Sequence, residues 1–146
     1  MLKGIDRTLS AEMLMVLMSM GHGDEVLVCD VNHPAVTIAK ETTYGKLVDM
    51  PGCDIPRAVE AILSLMPLDT FVAQPVKRMK VVDKPDQVMP IHQRVQELVD
   101  RLEGRAVPVE ALERFDFYAA ARASFAVVRT SDPGPYGCFI LRKGVV

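Results

Sequence analysis

The sequence has no excess charge of one sign and no apolar run of membrane-spanning length. Its net charge is −2, and no long run of like charges is present, so nothing favours binding to nucleic acid or to an anionic membrane. Its apolar runs are shorter than the about 20 residues that cross a bilayer. A secretory leader, with a basic segment, an apolar core and a small-residue cleavage site, is also missing. We therefore expect a cytoplasmic protein with neither nucleic acid nor membrane as a partner.

Cysteine is scarce, and the common catalytic signatures are absent. The three cysteines, Cys29, Cys53 and Cys138, are widely spaced and form no CxxC pair. This spacing disfavours a structural zinc site or a disulfide framework, and reduced thiols fit a cytosolic chain. The sequence contains no P-loop, GxGxxG, HExxH or GxSxG motif. Kinase, dehydrogenase, metalloprotease and α/β-hydrolase functions therefore lack their signatures.

What is present predicts one layered α/β domain over residues 1–146. This length suits a single domain that can bury a substantial core, and 49% apolar with 25% charged residues is ordinary globular composition. The apolar run Val26–Cys29 predicts a strand buried on both faces, as in a sheet covered by helices. Strands alternate with helices along the chain, which predicts a largely parallel sheet flanked by helices.

Capping residues and hydrophobic periodicity give the other predicted elements. Ser10 is a candidate N-cap of a first helix, which is apolar on nearly every side and ends at Gly21. Such a helix is either heavily buried or lies at a subunit contact. The further predictions are a helix that starts after Asp54 and is stopped by Pro67, a strand over 76–82, a helix over 90–103, a short strand around Val107, a helix over 109–122 in one or two pieces, and strands over 125–130 and 138–142.

His22 is the first candidate for chemistry. It lies between Gly21 and Gly23, at the junction of the first helix and the buried strand. The glycines allow another group to come close to the ring. Histidine is suited to acid–base work because its ordinary pKa is near neutrality. The alternative is a simple turn in which His22 bonds to a local carbonyl.

Asp30 is the second candidate, because it follows the buried strand directly. Ligands of open α/β sheets bind beyond the carboxyl ends of strands. The alternative is a loop aspartate that caps its own backbone. His33 precedes Pro34 and is predicted to lie on the surface, since a residue before proline is usually extended. His92, near the start of a helix, has little functional weight.

Two further segments could bind a polyhydroxylated ligand. Arg114 and Tyr118 are four residues apart and share a face if the segment is helical; the alternative is a solvated arginine beside a core tyrosine. The loop Pro-Gly-Pro-Tyr-Gly-Cys at 133–138 would present Tyr136 and backbone amides at a fixed position. Its alternative is a strand connection with a packing aromatic.

Taken in order, these segments resemble the RbsD/FucU family of sugar mutarotases, and the fucose branch more closely than the ribose branch. The resemblance covers almost the whole chain, and the order and spacing of the segments carry it. They are Met-Leu-Lys-Gly-Ile at 1–5, Met-Gly-His-Gly-Asp-Glu at 20–25, Asp30 with Pro34-Ala35, Arg114-Phe115, Phe117-Tyr118, Tyr136-Gly137 and Leu-Arg-Lys-Gly-Val at 141–145.

The resemblance implies an RbsD-like fold and a cofactor-free, metal-free mutarotase of a free monosaccharide. It implies a homo-oligomeric ring, often a decamer, with sites near subunit contacts. His22 matches the catalytic histidine. The implied sugar-binding residues are Asp30, Arg114, Tyr136 and Gly137, with Tyr118 near the site and Cys138 completing the loop segment.

Two positions depart from the family pattern. Cys138 stands where the family usually has asparagine, and a thiol donates and accepts hydrogen bonds more weakly than an amide. The fucose branch typically has histidine at the position of Asn32, whereas this chain has His33, one place later. A non-catalytic monosaccharide-binding protein on the same scaffold is therefore the main alternative. An isomerase or epimerase acting on a sugar or a sugar phosphate is a second.

Overall fold

A computed structural model describes residues 2–146, which form one six-stranded sheet and five helices. The helices are α1 (Ala11–Ser19), α2 (Ala35–Ala39), α3 (Ile55–Leu63), α4 (Pro90–Glu103) and α5 (Arg114–Ala123). The strands are β1 (Glu25–Cys29), β2 (Leu47–Met50), β3 (Val76–Met79), β4 (Val109–Leu112), β5 (Ala126–Thr130) and β6 (Phe139–Arg142). No helix within the described range is long and apolar enough to span a bilayer.

The strand order across the sheet is β2-β5-β1-β6-β3-β4. Three neighbouring pairs are parallel, namely β2 with β5, β5 with β1, and β3 with β4. The exception is β6, which lies between β1 and β3 and is antiparallel to both. The prediction of a largely parallel sheet flanked by helices is confirmed.

Strand β1 is buried on both faces, as its continuous apolar run predicts. Leu27 and Cys29 pack into the core on one side of the sheet, and Val26 and Val28 pack into the core on the other. Because β1 lies inside the sheet, its carboxyl end is a fixed point from which the next residue, Asp30, projects.

The predicted helix starts are confirmed where a capping side chain marks them. Ser10 accepts a hydrogen bond from the Met13 N–H at 3.0 Å, and Asp54 accepts one from the Arg57 N–H at 2.9 Å. Helix α4 has its predicted bounds and ends at Gly104, whose φ of +66° is the left-handed conformation that glycine adopts at helix ends.

The predicted helix over 109–122 is wrong in its first part. Val109–Leu112 is β4, paired in parallel with β3, and the helix begins only at Arg114. The short strand predicted around Val107 therefore lies two residues later. A four-residue stretch carries too little periodicity to separate strand from helix, and the open edge of β3 decides the outcome. Helix α2 and strand β2 were not predicted.

Candidate functional site

A cavity of about 260 Å³ lies at the carboxyl end of β1, where the topology of an α/β sheet favours ligand binding. It brings together five residues that the sequence singled out: Asp30, Arg114, Tyr118, Tyr136 and Cys138. These residues come from the end of β1, from α5 and from the loop between β5 and β6. The predicted binding segments therefore converge on one place, although 108 residues separate Asp30 from Cys138.

Asp30 organises this end of the sheet. Its carboxylate is buried; one oxygen accepts the Asn32 N–H at 2.8 Å and the other accepts the Gly137 N–H at 2.9 Å. The contact to Asn32 is the local capping that the sequence left open, and the contact to Gly137 fixes the loop over the cavity. A Cβ at position 137 would lie 3.1 Å from Ile55 Cγ1. Glycine at this position thus lets the loop approach Asp30 closely.

Tyr136 is held in an unusual backbone conformation. Its φ is +62°, a left-handed value that is uncommon for an aromatic residue. Its hydroxyl oxygen accepts the Val82 N–H at 3.1 Å, and its carbonyl oxygen lies 3.2 Å from His92 Nε2. Because the phenol oxygen accepts from the backbone, the hydroxyl proton is available to a ligand in the cavity.

His92 sets the position of Tyr136, and it is therefore more important to the site than its sequence context indicates. The ring is buried, and its Nδ1 lies 3.2 Å from the Met89 N–H donor and 3.3 Å from Arg78 Nη1. Both neighbours are donors, so Nδ1 accepts, and Nε2 carries the proton donated to the Tyr136 carbonyl. Burial, aided by the Arg78 charge, lowers the pKa of His92 to about 4. The ring is therefore neutral at neutral pH.

Replacing His92 with leucine is expected to lower the free energy of unfolding by about 2 kcal/mol. Leucine leaves the Tyr136 carbonyl and the Met89 N–H without the hydrogen bonds that His92 makes to them, and an unsatisfied buried polar group costs about 1–3 kcal/mol. Glutamine keeps an amide donor and should lose less. Urea denaturation measures the difference. Gln93→Leu, at the exposed neighbouring position of α4, is the control and should change stability by no more than about 0.5 kcal/mol. Equal stability of the two leucine variants would contradict the assignment.

Two buried side-chain atoms lack a hydrogen-bond partner in residues 2–146, and both belong to residues that line this cavity. They are Arg114 Nε and His33 Nε2. Buried polar atoms in folded proteins nearly always have a partner. The guanidinium of Arg114 lies over the Phe115 ring, 4.7 Å from its centroid, and its Nε–H donor needs an acceptor. Both residues line the cavity, so a polar ligand bound there is a candidate partner for these two atoms.

The prediction that His33 lies on the surface is wrong. Its N–H bonds to the Asp30 carbonyl at 3.4 Å, and this turn folds the ring inward just before α2 begins. The ring is only 8% exposed and packs edge-to-face on Tyr118, with 5.4 Å between ring centroids. Burial lowers the pKa of His33 to about 4. His33 is therefore a neutral residue of the cavity wall.

His22 does not line this cavity within one chain. It precedes β1, whereas Asp30 follows it, and five residues at about 3.3 Å each separate the two ends of the strand by about 16 Å. The side chain of His22 is 43% exposed and packs edge-to-face on Phe71. A single chain thus brings the predicted binding residues together and leaves the predicted catalytic histidine at the opposite edge of the sheet.

Asp69 holds His22 and was not anticipated from the sequence. It is buried and accepts from His22 Nε2 at 3.2 Å, from the Phe71 N–H at 2.9 Å and from Arg142 Nε at 3.0 Å. The Phe71 N–H contributes most to lowering the pKa of Asp69, and His22 and Arg142 add to it. A carboxylate on Nε2 places the proton of a neutral imidazole there, so Nδ1 is left as a base.

Comparisons with known proteins identify relatives of this chain over nearly its full length. Residues 3–146 match the model of the RbsD / FucU transport protein family. The fucose mutarotase of Mus musculus is 40% identical over 148 residues, which cover 99% of this chain and 95% of the mouse protein. FucU from Bifidobacterium longum is 35% identical, with a TM-score of 0.90 over 99% of both chains. The fucose mutarotase from Streptococcus pneumoniae, solved in complex with L-fucose, is 34% identical, with a TM-score of 0.89 over 99% of both chains.

Proposed function

The chain belongs to the RbsD / FucU family, and from that premise we propose that it is a mutarotase that interconverts the anomers or ring forms of a free, fucose-like monosaccharide. The observation that carries the proposal is the cavity at the end of β1. Its wall combines Asp30, Tyr136 and the two residues, Arg114 and His33, that carry the only buried side-chain nitrogen or oxygen atoms without a partner in the described range. Relatives over nearly the full chain are named fucose mutarotase, which supports the reaction and the sugar.

The size and polarity of the cavity support a single sugar ring. Its volume of about 260 Å³ lies below the roughly 300–1,000 Å³ of sites for drug-sized ligands. Hydroxyl groups both donate and accept hydrogen bonds. Arg114 can donate to them and Asp30 can accept from them, while the ring of Tyr118 closes one side of the cavity.

Mutarotation needs two proton transfers and no redox step. A base removes the proton of the anomeric hydroxyl, an acid protonates the ring oxygen, and the bond between the anomeric carbon and the ring oxygen breaks. The open-chain carbonyl rotates, and the reverse transfers close the ring. General acid–base help is worth about 10²- to 10⁴-fold. This acceleration suffices because the reaction already proceeds unaided in water.

We assign one of these transfers to His22, supplied to the cavity by a second copy of the chain. Nδ1 of His22 is the basic nitrogen, since Nε2 bonds to Asp69. Exposed apolar side chains suit a contact between copies. Phe71, which packs on His22, is 72% exposed, and Met18, four residues before His22 along the chain, is 84% exposed. This arrangement agrees with the homo-oligomeric, decameric ring that the resemblance implies. The exposed face of α1 then lies at a subunit contact, as its sequence allowed.

The experiment is NMR exchange spectroscopy between the anomeric proton signals of fucose, ribose, galactose and rhamnose at equilibrium. We expect the parent protein to accelerate the exchange of fucose and His22→Ala to lose the acceleration. Gln93→Ala, an exposed change on α4, is the control and should match the parent. Exchange by His22→Ala at the parent rate would overturn the role of His22.

Co-expression of two inactive variants tests where His22 comes from. Oligomers that mix His22→Ala chains with Asp30→Ala chains contain some sites with one intact His22 and one intact Asp30. Such mixed oligomers should regain part of the exchange activity if the two residues come from different copies. If both residues act within one chain, mixing restores nothing.

A sugar-binding protein without catalysis is the second candidate, because Cys138 occupies the loop position at which the family usually has an amide. The thiol lies 3.6 Å from Asp30, buried at the base of the cavity. This candidate predicts saturable fucose binding with no acceleration of exchange. A sugar phosphate is a poorer ligand, since Asp30 would repel it and Arg114 is the one arginine in the wall.

A further inference from the structure

Asp30, Cys138 and His33 form a buried chain of hydrogen bonds along the base of the cavity. Cys138 Sγ lies 3.6 Å from Asp30 Oδ2 and 3.5 Å from His33 Nδ1. All three side chains are at least nine-tenths buried. His33 is the only one of the three with a buried atom that lacks a partner, and that atom is Nε2, on the side of the ring away from Cys138.

The positions of the protons follow from the chemistry of the three groups. Burial raises the pKa of the Cys138 thiol well above its usual value, and the adjacent Asp30 charge adds to this, so the thiol keeps its proton. A carboxylate only accepts, so the thiol donates to Asp30 Oδ2. Sulfur can then only accept from His33. Nδ1 of His33 therefore carries the single proton of the neutral ring, and Nε2 is a bare acceptor.

We propose that His33 is a further substrate-binding residue, whose Nε2 accepts a hydrogen bond from a sugar hydroxyl in the tautomer that Cys138 and Asp30 impose. The inference rests on the proposed function for the identity of the ligand. The inference is supported by the two buried side-chain atoms that lack a partner, because they are complementary. Arg114 Nε is a donor and His33 Nε2 an acceptor, and both residues line the same cavity. A hydroxyl group satisfies either one.

Long-range ¹H–¹⁵N correlation spectra of the histidine rings test the tautomer without any ligand. We expect His33 of the parent protein to carry its proton on Nδ1. Cys138→Ser keeps a donor to Asp30 and an acceptor for Nδ1, and should leave this tautomer in place. Cys138→Ala removes both, and should shift the proton toward Nε2. A parent with the proton on Nε2, or no shift in Cys138→Ala, would overturn the proposed relay.

Two variants of His33 test the contact to the sugar. The amide of asparagine reaches the place of Nδ1 only, whereas the amide of glutamine extends an oxygen toward the place of Nε2. We expect His33→Asn to bind L-fucose about tenfold more weakly than the parent and His33→Gln to retain more of the affinity. In the exchange assay, the half-saturating fucose concentration should rise in parallel in His33→Asn.

Titration of L-fucose followed by NMR gives these affinities for the parent and both variants. Equal affinity of the parent and His33→Asn would overturn the inference and leave the proposed function intact. A parent that binds and exchanges none of the four sugars would overturn the proposed function, and with it the sugar as the ligand of His33.

Discussion

Asparagine in place of Asp30 is expected to abolish sugar exchange and to lower the free energy of unfolding by about 2 kcal/mol. Each carboxylate oxygen of Asp30 accepts a different backbone N–H, from Asn32 and from Gly137. A side-chain amide has only one oxygen, so its NH₂ group must face one of these two donors. An unsatisfied buried donor costs about 1–3 kcal/mol. The loop that carries Tyr136 would also lose its anchor.

Urea denaturation and anomer exchange of fucose measure the two effects of Asp30→Asn. The matched control is Asp49→Asn, because Asp49 is an exposed carboxylate that pairs with Arg129 on the surface of the sheet. We expect the control to change stability by no more than about 0.5 kcal/mol and to leave exchange unaltered. An Asp30→Asn protein with the stability and exchange rate of the control would show that this carboxylate neither anchors the loop nor binds the sugar.

Alanine in place of Gly144 should destabilise the protein by about 3 kcal/mol and also stop exchange. A Cβ at this position would lie 2.5 Å from the carbonyl oxygen of Leu68 and 2.9 Å from Cα of Asp69. Both are backbone atoms that cannot rotate away, so the cost falls at the upper end of the roughly 1–3 kcal/mol for overpacking. The segment that must move carries Asp69, and Asp69 holds His22. A change without a side-chain contact to His22 thus disturbs its position.

Gly21→Ala is the control for this prediction. It lies next to His22, but its Cβ would meet nothing closer than Asp24 Oδ2 at 3.8 Å. Urea denaturation should place this variant near the parent, and the ¹⁵N signals of the His22 ring should be unchanged. In Gly144→Ala those signals should move, because the bond to Asp69 is altered. Equal stability of the two alanine variants would contradict the predicted clash.

Features with local signals could be predicted from the sequence. The caps Ser10 and Asp54 make their hydrogen bonds within three residues of themselves, and helix α4 carries its own start at Pro90 and its own end at Gly104. The unbroken apolar run of β1 is enough to predict a buried strand. The resemblance added the predicted binding residues, because the order of the motifs along the chain reflects a common fold.

Features that depend on distant partners could not be predicted. The partner of His92 is 44 residues away, that of His22 is 47 residues away, and His33 meets Cys138 across 105 residues. The local rule for a residue before proline predicted an exposed His33. The ring is buried instead, because the hydrogen bond from the His33 N–H to the Asp30 carbonyl turns the chain inward. Strand β4 also depends on a distant partner: its four residues form a strand because they pair with β3.

The place of β6 in the sheet bears on how the chain is made. This strand alone joins the half formed by β2, β5 and β1 to the half formed by β3 and β4, yet it is the last strand in chain order. Until residues 139–142 have left the ribosome, β1 and β3 each present an open edge that can pair with another chain. A chain that ended just before residue 139 would therefore leave the sheet in two parts, each with one edge that β6 covers in the complete protein.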